Sequence, residues 1–305
     1  MIRRGNHRRR EVTEASSAAA PKSAAPQTPL NATVPSHGGR IELTYPAGAA
    51  LIVGSGNIGG AVASRLASAG IPVVLTYCSN TERATKLAHR IGASGGHVRV
   101  QQLDLLDDAA VAAVVASCAR EFGHLHTVVY ASGPEIPFLK VREMSSQTME
   151  RHLLADSLGC FRVFHHAIPI LEQGGGGSLT AVVTLANHRT LETDGLSAIP
   201  KAAVESLVRQ IAAEEATAGI RANAVPIGWV GGFANSYAEA RAFTAAMSGP
   251  QAAPTRAFME RLMSYIRMGR PGSGEEAANI VAFLASQQAS FVTGCVIGAD
   301  GGAML

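Results

Sequence analysis

A short apolar run, Ala49–Val53, passes directly into Gly54-Ser55-Gly56-Asn57-Ile58-Gly59-Gly60. Small residues after a buried strand let the backbone turn tightly, and the helix that follows offers unpaired N–H groups and the positive end of its dipole to an anion. Gly54-x-Gly56-x-x-Gly59 also suits a tight turn with no ligand. Its place between strand and helix favours a pyrophosphate-binding turn, with Gly54, Ser55, Gly56, Asn57 and Ile58 as its contacts.

The rest of the chain repeats this alternation. Strand-like apolar runs are read at Val73–Tyr77, His97–Gln102, Thr127–Tyr130, Leu179–Thr184, Arg221–Val225 and Val296–Ile297. Helical periodicity covers Ala61–Ala69, Thr81–Ile91, Asp107–Phe122, Ser145–Leu171, Pro200–Thr217 and Glu275–Ser286. Strands alternating with helices predict an α/β fold, a doubly wound parallel sheet covered on both faces. The segment 229–265 is longer than a tight connection needs. Phe233, Tyr237, Phe243, Met247, Phe258, Met259, Met263 and Tyr265 stud it at helical intervals. Such a stripe reads either as core or as a greasy lid over a ligand.

With 47% hydrophobic and 16% charged residues, the 305-residue chain has ample material for a core. Its net charge of +3 is unevenly placed. Residues 1–40 carry seven Lys/Arg against two Glu, so the remainder is slightly acidic. The basic character therefore belongs to an Ala/Pro/Ser-rich tail, expected to be disordered, ahead of one folded domain at 41–305. An acidic body argues against a nucleic-acid surface, and no run approaches the ~20 apolar residues of a membrane helix. Cys78, Cys118, Cys160 and Cys295 are far apart, which suits free thiols in a cytoplasmic protein. His165-His166 and His124-x-His126 lack partners at ligand spacing, so no metal is expected.

Several unlinked stretches together carry a resemblance. They are Asp104-Leu105, Val128–Gly133, Leu158-Gly159-Cys160-Phe161, Lys201-Ala202-Ala203-Val204, Gly219–Val225, Gly269-Arg270-Pro271-Gly272, Phe291-Val292-Thr293-Gly294 and Asp300-Gly301-Gly302. In this order they resemble the short-chain dehydrogenase/reductase family from about Pro46 to Leu305. The resemblance implies a single-domain Rossmann-type fold with 229–265 as the substrate lid. It also implies a homo-oligomer, dimer or tetramer, and a nicotinamide cofactor.

The departures from the family pattern concern the chemistry. A serine–tyrosine–lysine–asparagine set is matched by Thr184, Ser197, Lys201 and Asp156, and the Asn-Asn-Ala-Gly turn by Tyr130-Ala131-Ser132-Gly133. The tyrosine that supplies the proton to the reduced carbonyl is thus a serine, a far weaker and shorter acid. Such a site survives if the substrate brings its own acid, such as a phenol beside the reacting carbonyl, and the space opened at Ser197 admits a bulky planar ring. Within the family the chain is most similar to the atypical angucyclinone ketoreductases, which act on aromatic polyketides. The alternative is a catalytically silent NADP(H)-binding sensor or scaffold.

The family frame also assigns the remaining contacts. Tyr77, Cys78, Ser79, Asn80 and Arg83 end the second strand with no acid, which favours the 2′-phosphate of NADPH over NAD. Asp104 and Leu105 are expected beside the adenine, Ala131, Ser132 and Gly133 along the cofactor, and Gly228 and Val230 near the carboxamide. Lys201 is read as a ribose ligand in preference to a surface lysine. Thr184 is read either as a hydrogen-bond donor to the substrate oxygen or as a satisfied strand threonine. His188, Trp229 and Phe233 are placed at the substrate, His188 being either a replacement acid or a solvated loop residue.

Overall fold

The computed structural model describes residues 42–231, 237–249 and 252–305. The tail expected at 1–40 lies outside the described residues, as does Phe233.

Six strands among the described residues form one parallel sheet in the order β3-β2-β1-β4-β5-β6. They are β1 (Ala49–Val53), β2 (Val73–Tyr77), β3 (Val98–Gln102), β4 (Leu125–Tyr130), β5 (Gly177–Thr184) and β6 (Ile220–Ile227). Between them run α1 (Asn57–Ser68), α2 (Thr81–Ala93), α3 (Asp108–Phe122), α4 (Ser146–His152), α5 (Gly159–Gln173) and α6 (Gly195–Glu215). After β6 come α7 (Tyr237–Ala245), α8 (Ala252–Tyr265) and α9 (Gly274–Ala285).

The side-chain period of two splits β1 between two cores. Leu51 and Val53 enter the cluster formed with Val111, Val115, Phe164, Val204 and Val208. Ala50 and Ile52 enter the opposite one with Val62, Leu66, Leu87, Val281 and Leu284. Helices α3, α5 and α6 thus cover one face and α1, α2 and α9 the other. This is why β1 is apolar at every position. Strand order reverses between β1 and β4, so a crevice opens beyond their carboxyl ends, where ligands bind in open sheets of this kind.

Three departures from the periodicity reading have physical causes. The helix expected over Ser145–Leu171 is interrupted by a π-helical turn, Leu153–Leu158, between α4 and α5. Tyr130 at the end of β4 holds that turn, its hydroxyl donating to the carbonyls of Ala155 (2.9 Å) and Asp156 (3.2 Å). Helix α6 begins five residues before Pro200, which sits inside it. The carbonyl of Pro200 accepts from Ser157 Oγ at 2.9 Å, tying α6 to the π turn. Val296–Ile297 forms no strand. The segment follows β6 through isolated bridges, Ala224–Val296 and Ile227–Ala299.

A third apolar cluster joins Trp229, Phe258, Leu262, Met263 and Ile266 to Leu185 and Leu191, with Phe138 stacked on Phe258 at 4.0 Å between ring centroids. Several aromatic and methionine residues of the expected lid are therefore its own packing, while Phe243 is exposed. Among the described residues, no helix is long and apolar enough to cross a membrane, and all four cysteines are free.

The glycine turn leaves no room at one position. A Cβ on Gly59 would lie 1.9 Å from the Gly54 carbonyl oxygen, whereas a Cβ on Gly56 would meet nothing within 4 Å. Gly59→Ala is accordingly expected to cost about 1–3 kcal/mol in denaturant unfolding, the usual range for overpacking. Gly56→Ala should unfold close to the parent.

Candidate active site

The turn between β1 and α1 is built as an anion cradle. Gly54 takes φ +106° and packs where a Cβ would strike the carbonyl of Ala131 on the neighbouring strand end. Its N–H donates to Thr76 Oγ1 at 3.2 Å, which anchors the turn to β2. Gly56 caps α1 with no side-chain hydrogen bond, and the first turn carries no acid. The helix start therefore presents free N–H groups to open space, as a pyrophosphate requires. These residues fit a dinucleotide.

Beyond the cradle lies a cleft of about 310 Å³, bordered by Gly56, Asn57 and Ile58, by Ala131–Pro134, and by Asp156, Thr184, Ser197, Lys201 and Val230. The carboxyl ends of β1, β4 and β5 bring together Gly56–Ile58, Ala131–Pro134 and Thr184. Helix α6 supplies Ser197 and Lys201 one turn apart on one face.

At the floor of the cleft, Lys201 Nζ donates to Asp156 Oδ1 at 2.7 Å and to the carbonyl of Ser132 at 3.4 Å. Asp156 is fully buried within the π turn, and its Oδ2 has no hydrogen-bond partner among the described residues. The backbone carbonyl of the same residue is taken by Tyr130. Burial first, and the Asp156 charge second, push the Tyr130 phenol well above its ordinary range, so it remains a hydrogen-bond donor. Tyr130 and Asp156, both departures from the family pattern, thus interlock with Lys201.

The other expected residues fall into two groups. Thr184 borders the cleft while its Oγ1 accepts from the Ala186 N–H at 3.2 Å, which still leaves its hydroxyl proton to give. Ser197 is 9% exposed, borders the cleft, and its hydroxyl has no hydrogen bond among the described residues. Trp229 and His188 do not border the cleft. Trp229 is buried in the third cluster. His188 Nε2 lies 3.2 Å from Glu205 Oε1, a buried α6 carboxylate that also accepts from Asn187 Nδ2 at 2.8 Å. That contact ties the loop after β5 to α6.

At the end of β2 and after β3, where the sequence reading places the adenine, the side chains have local duties. Asn80 Oδ1 caps α2 by accepting from the Arg83 N–H at 2.9 Å. Asp104 Oδ1 accepts from the Leu106 N–H at 2.9 Å. Cys78, Ser79 and Arg83 are exposed, Tyr77 is partly buried, and the half-buried Leu105 packs on Gly159. Gly228 allows close approach to Asp300, where a Cβ would come within 2.8 Å of its Cα.

Two buried carboxylates, Glu205 and Asp194, carry no signal in the sequence reading. Asp194 precedes α6, is 6% exposed, and does not cap the helix with its side chain. Burial raises its carboxyl from the ordinary 3.8 to about 7, a rise that the Lys201 charge moderates. A single Asp before Gly195 reads as a helix cap, and only its burial distinguishes it.

Fold and site together define a dinucleotide-dependent oxidoreductase. The sequence model described as enoyl-(acyl carrier protein) reductase matches residues 53–304, and the chain belongs to this family within the short-chain dehydrogenases/reductases. A cis-4-hydroxycyclohexanecarboxylate dehydrogenase of Sinomonas cyclohexanicum is 31% identical over 254 residues, 83% of this chain and 95% of the relative. A hydroxynaphthalene reductase-like protein Arp2 of Metarhizium robertsii is 29% identical over 256 residues, 84% of this chain and 94% of the relative. Among solved structures, a short-chain type dehydrogenase/reductase from Mycobacterium ulcerans superimposes with a TM-score of 0.75 at 26% identity. It covers 86% of this chain and 91% of its own.

Two measurements test this arrangement. Tyr130→Phe removes a buried donor from two carbonyls and should lower unfolding stability by about 1–3 kcal/mol. Asp194 binds its proton more tightly folded than unfolded, so its contribution is full below pH 4 and is lost as pH rises towards 7. Asp194→Asn should therefore melt higher than the parent at pH 8 by a few degrees, with the gap closing towards pH 4.

Proposed function

We propose that the protein is an NADPH-dependent ketoreductase that reduces a carbonyl of a polycyclic aromatic polyketide, of angucyclinone type, without an active-site tyrosine. The observation that carries this reading is the cleft floor, where Lys201 is retained and paired with Asp156 while Ser197 leaves the tyrosine's place open. The acid-free end of β2 with Arg83 nearby supports NADPH. The relative named as hydroxynaphthalene reductase-like supports a fused aromatic substrate. Polyketide tailoring in antibiotic biosynthesis, in a cytoplasmic homo-oligomer, is part of the same proposal.

NADPH, when bound, supplies hydride to the carbonyl carbon. The protein's part is to hold the reactants and meet the charge that gathers on the carbonyl oxygen. Thr184 offers its hydroxyl proton as a hydrogen bond to that oxygen, and the Lys201 ammonium supplies a fixed positive charge. Ser197 makes room. The proton itself comes from a phenol of the substrate hydrogen-bonded to the reacting carbonyl, because a serine hydroxyl is too weak an acid for the task.

The test is NADPH consumption and product mass with a ketone carrying a peri-hydroxyl, alongside its O-methyl ether. Turnover of the free phenol alone is the expected result. Equal turnover of both compounds would move the acid to the protein. NADPH binding without turnover of either would favour a silent NADP(H) sensor.

A further inference from the structure

The Asp156–Lys201 pair is unfinished on one side. A lysine ammonium has three N–H donors. Asp156 Oδ1 and the Ser132 carbonyl take two of them, leaving one. Asp156 Oδ1 is engaged, but Oδ2 is buried and has no partner among the described residues. Leaving a buried carboxylate oxygen bare costs more than leaving a buried neutral group without a partner. The turn residue in front of the pair is a glycine. A Cβ on Gly133 would lie 3.5 Å from Asp156 Oδ2 and 3.5 Å from Lys201 Nζ, so no side chain of this turn stands between the pair and the cleft. Gly133, Asp156 and Lys201 all border the cleft.

A ligand that completes this pair must offer an O–H to Asp156 Oδ2 and a lone pair to Lys201 Nζ from neighbouring atoms. It should carry no charge there, because the pair is already neutral and the carboxylate repels phosphate. A vicinal diol meets these conditions. We infer that Asp156 is a cofactor-binding residue, accepting a hydrogen bond from the ribose diol next to the nicotinamide while Lys201 donates to the same diol. This rests on the dinucleotide part of the proposed function. It adds an acceptor to the donor role expected of Lys201, and it gives the absent tyrosine's neighbourhood a second hydroxyl contact.

Binding alone tests it. NADPH contains this diol, whereas 2′,5′-ADP shares only the adenine half. Asp156→Asn keeps the side chain's size and its bond to Lys201 but turns an NH₂ donor towards the ligand. Titrated by NADPH fluorescence, this variant should bind about tenfold more weakly or worse, the scale of a hydrogen bond to a charged group. Its affinity for 2′,5′-ADP should stay within about twofold on the same scale. Gly133→Ala, which places a methyl at ordinary contact distance over both atoms, should show the same selective loss. It decides the matter if Asp156→Asn fails to fold. Unchanged or tighter NADPH binding in a folded variant would overturn the inference, and so would an equal loss for 2′,5′-ADP. Wild-type protein that binds neither ligand would overturn the dinucleotide reading itself, and Asp156 with it.

Discussion

A carboxylate with no exposed surface cannot be placed in a fold cheaply, and Asp156 is tolerable only because Lys201 reaches it at 2.7 Å. Removing one partner of such a buried pair leaves an uncompensated charge, which is far costlier than losing an ordinary contact. The pair therefore constrains three elements at once. The π turn must present Asp156 inwards, α6 must run far enough before Pro200 to aim Lys201, and the Ser132 turn must bring its carbonyl beneath the ammonium. The supporting bonds all converge on this requirement, Tyr130 on the π turn and Ser157 on the carbonyl of Pro200.

Three of the changes from the family pattern, at 130, 156 and 197, meet around this pair. The asparagine position became an acid, and that acid occupies the lysine directly. The first turn asparagine became Tyr130, whose hydroxyl fills the π-turn carbonyls. Asp156 and the Ser132 carbonyl take two of the three Lys201 donors, so fewer remain for any side chain at 197. A serine at 197 leaves the cleft beside the pair open.

How much of this could be read from the chain depends on the range of the interaction. Strands β1 and β2 match the sequence reading residue for residue, because short apolar runs between turns have only one comfortable solution in a parallel sheet. The glycine turn was equally legible. The π turn was not, since it has no residue signature of its own and the apolar positions on each side of it read as helical by themselves. Pro200 looked like a helix start because proline is favoured in a first turn, yet here the helix precedes it. His188 and Glu205 are 17 positions apart, and no local signal joins them. Asp194 and the bare oxygen of Asp156 are matters of burial, which sequence spacing does not encode.

The π turn has a consequence for how such a site can be made or lost. A residue added to a helix rotates everything on one side of it by about 100° relative to the other. Asp156 faces Lys201 only with that rotation in place, anchored by a phenol from the adjacent strand. A single-codon deletion between Leu153 and Leu158 would turn the two halves of the helix by that angle, so that the carboxylate could keep its place in the cleft only if the buried face of α5 left the core. The chemistry of the floor is therefore held by a count of residues as much as by their identity.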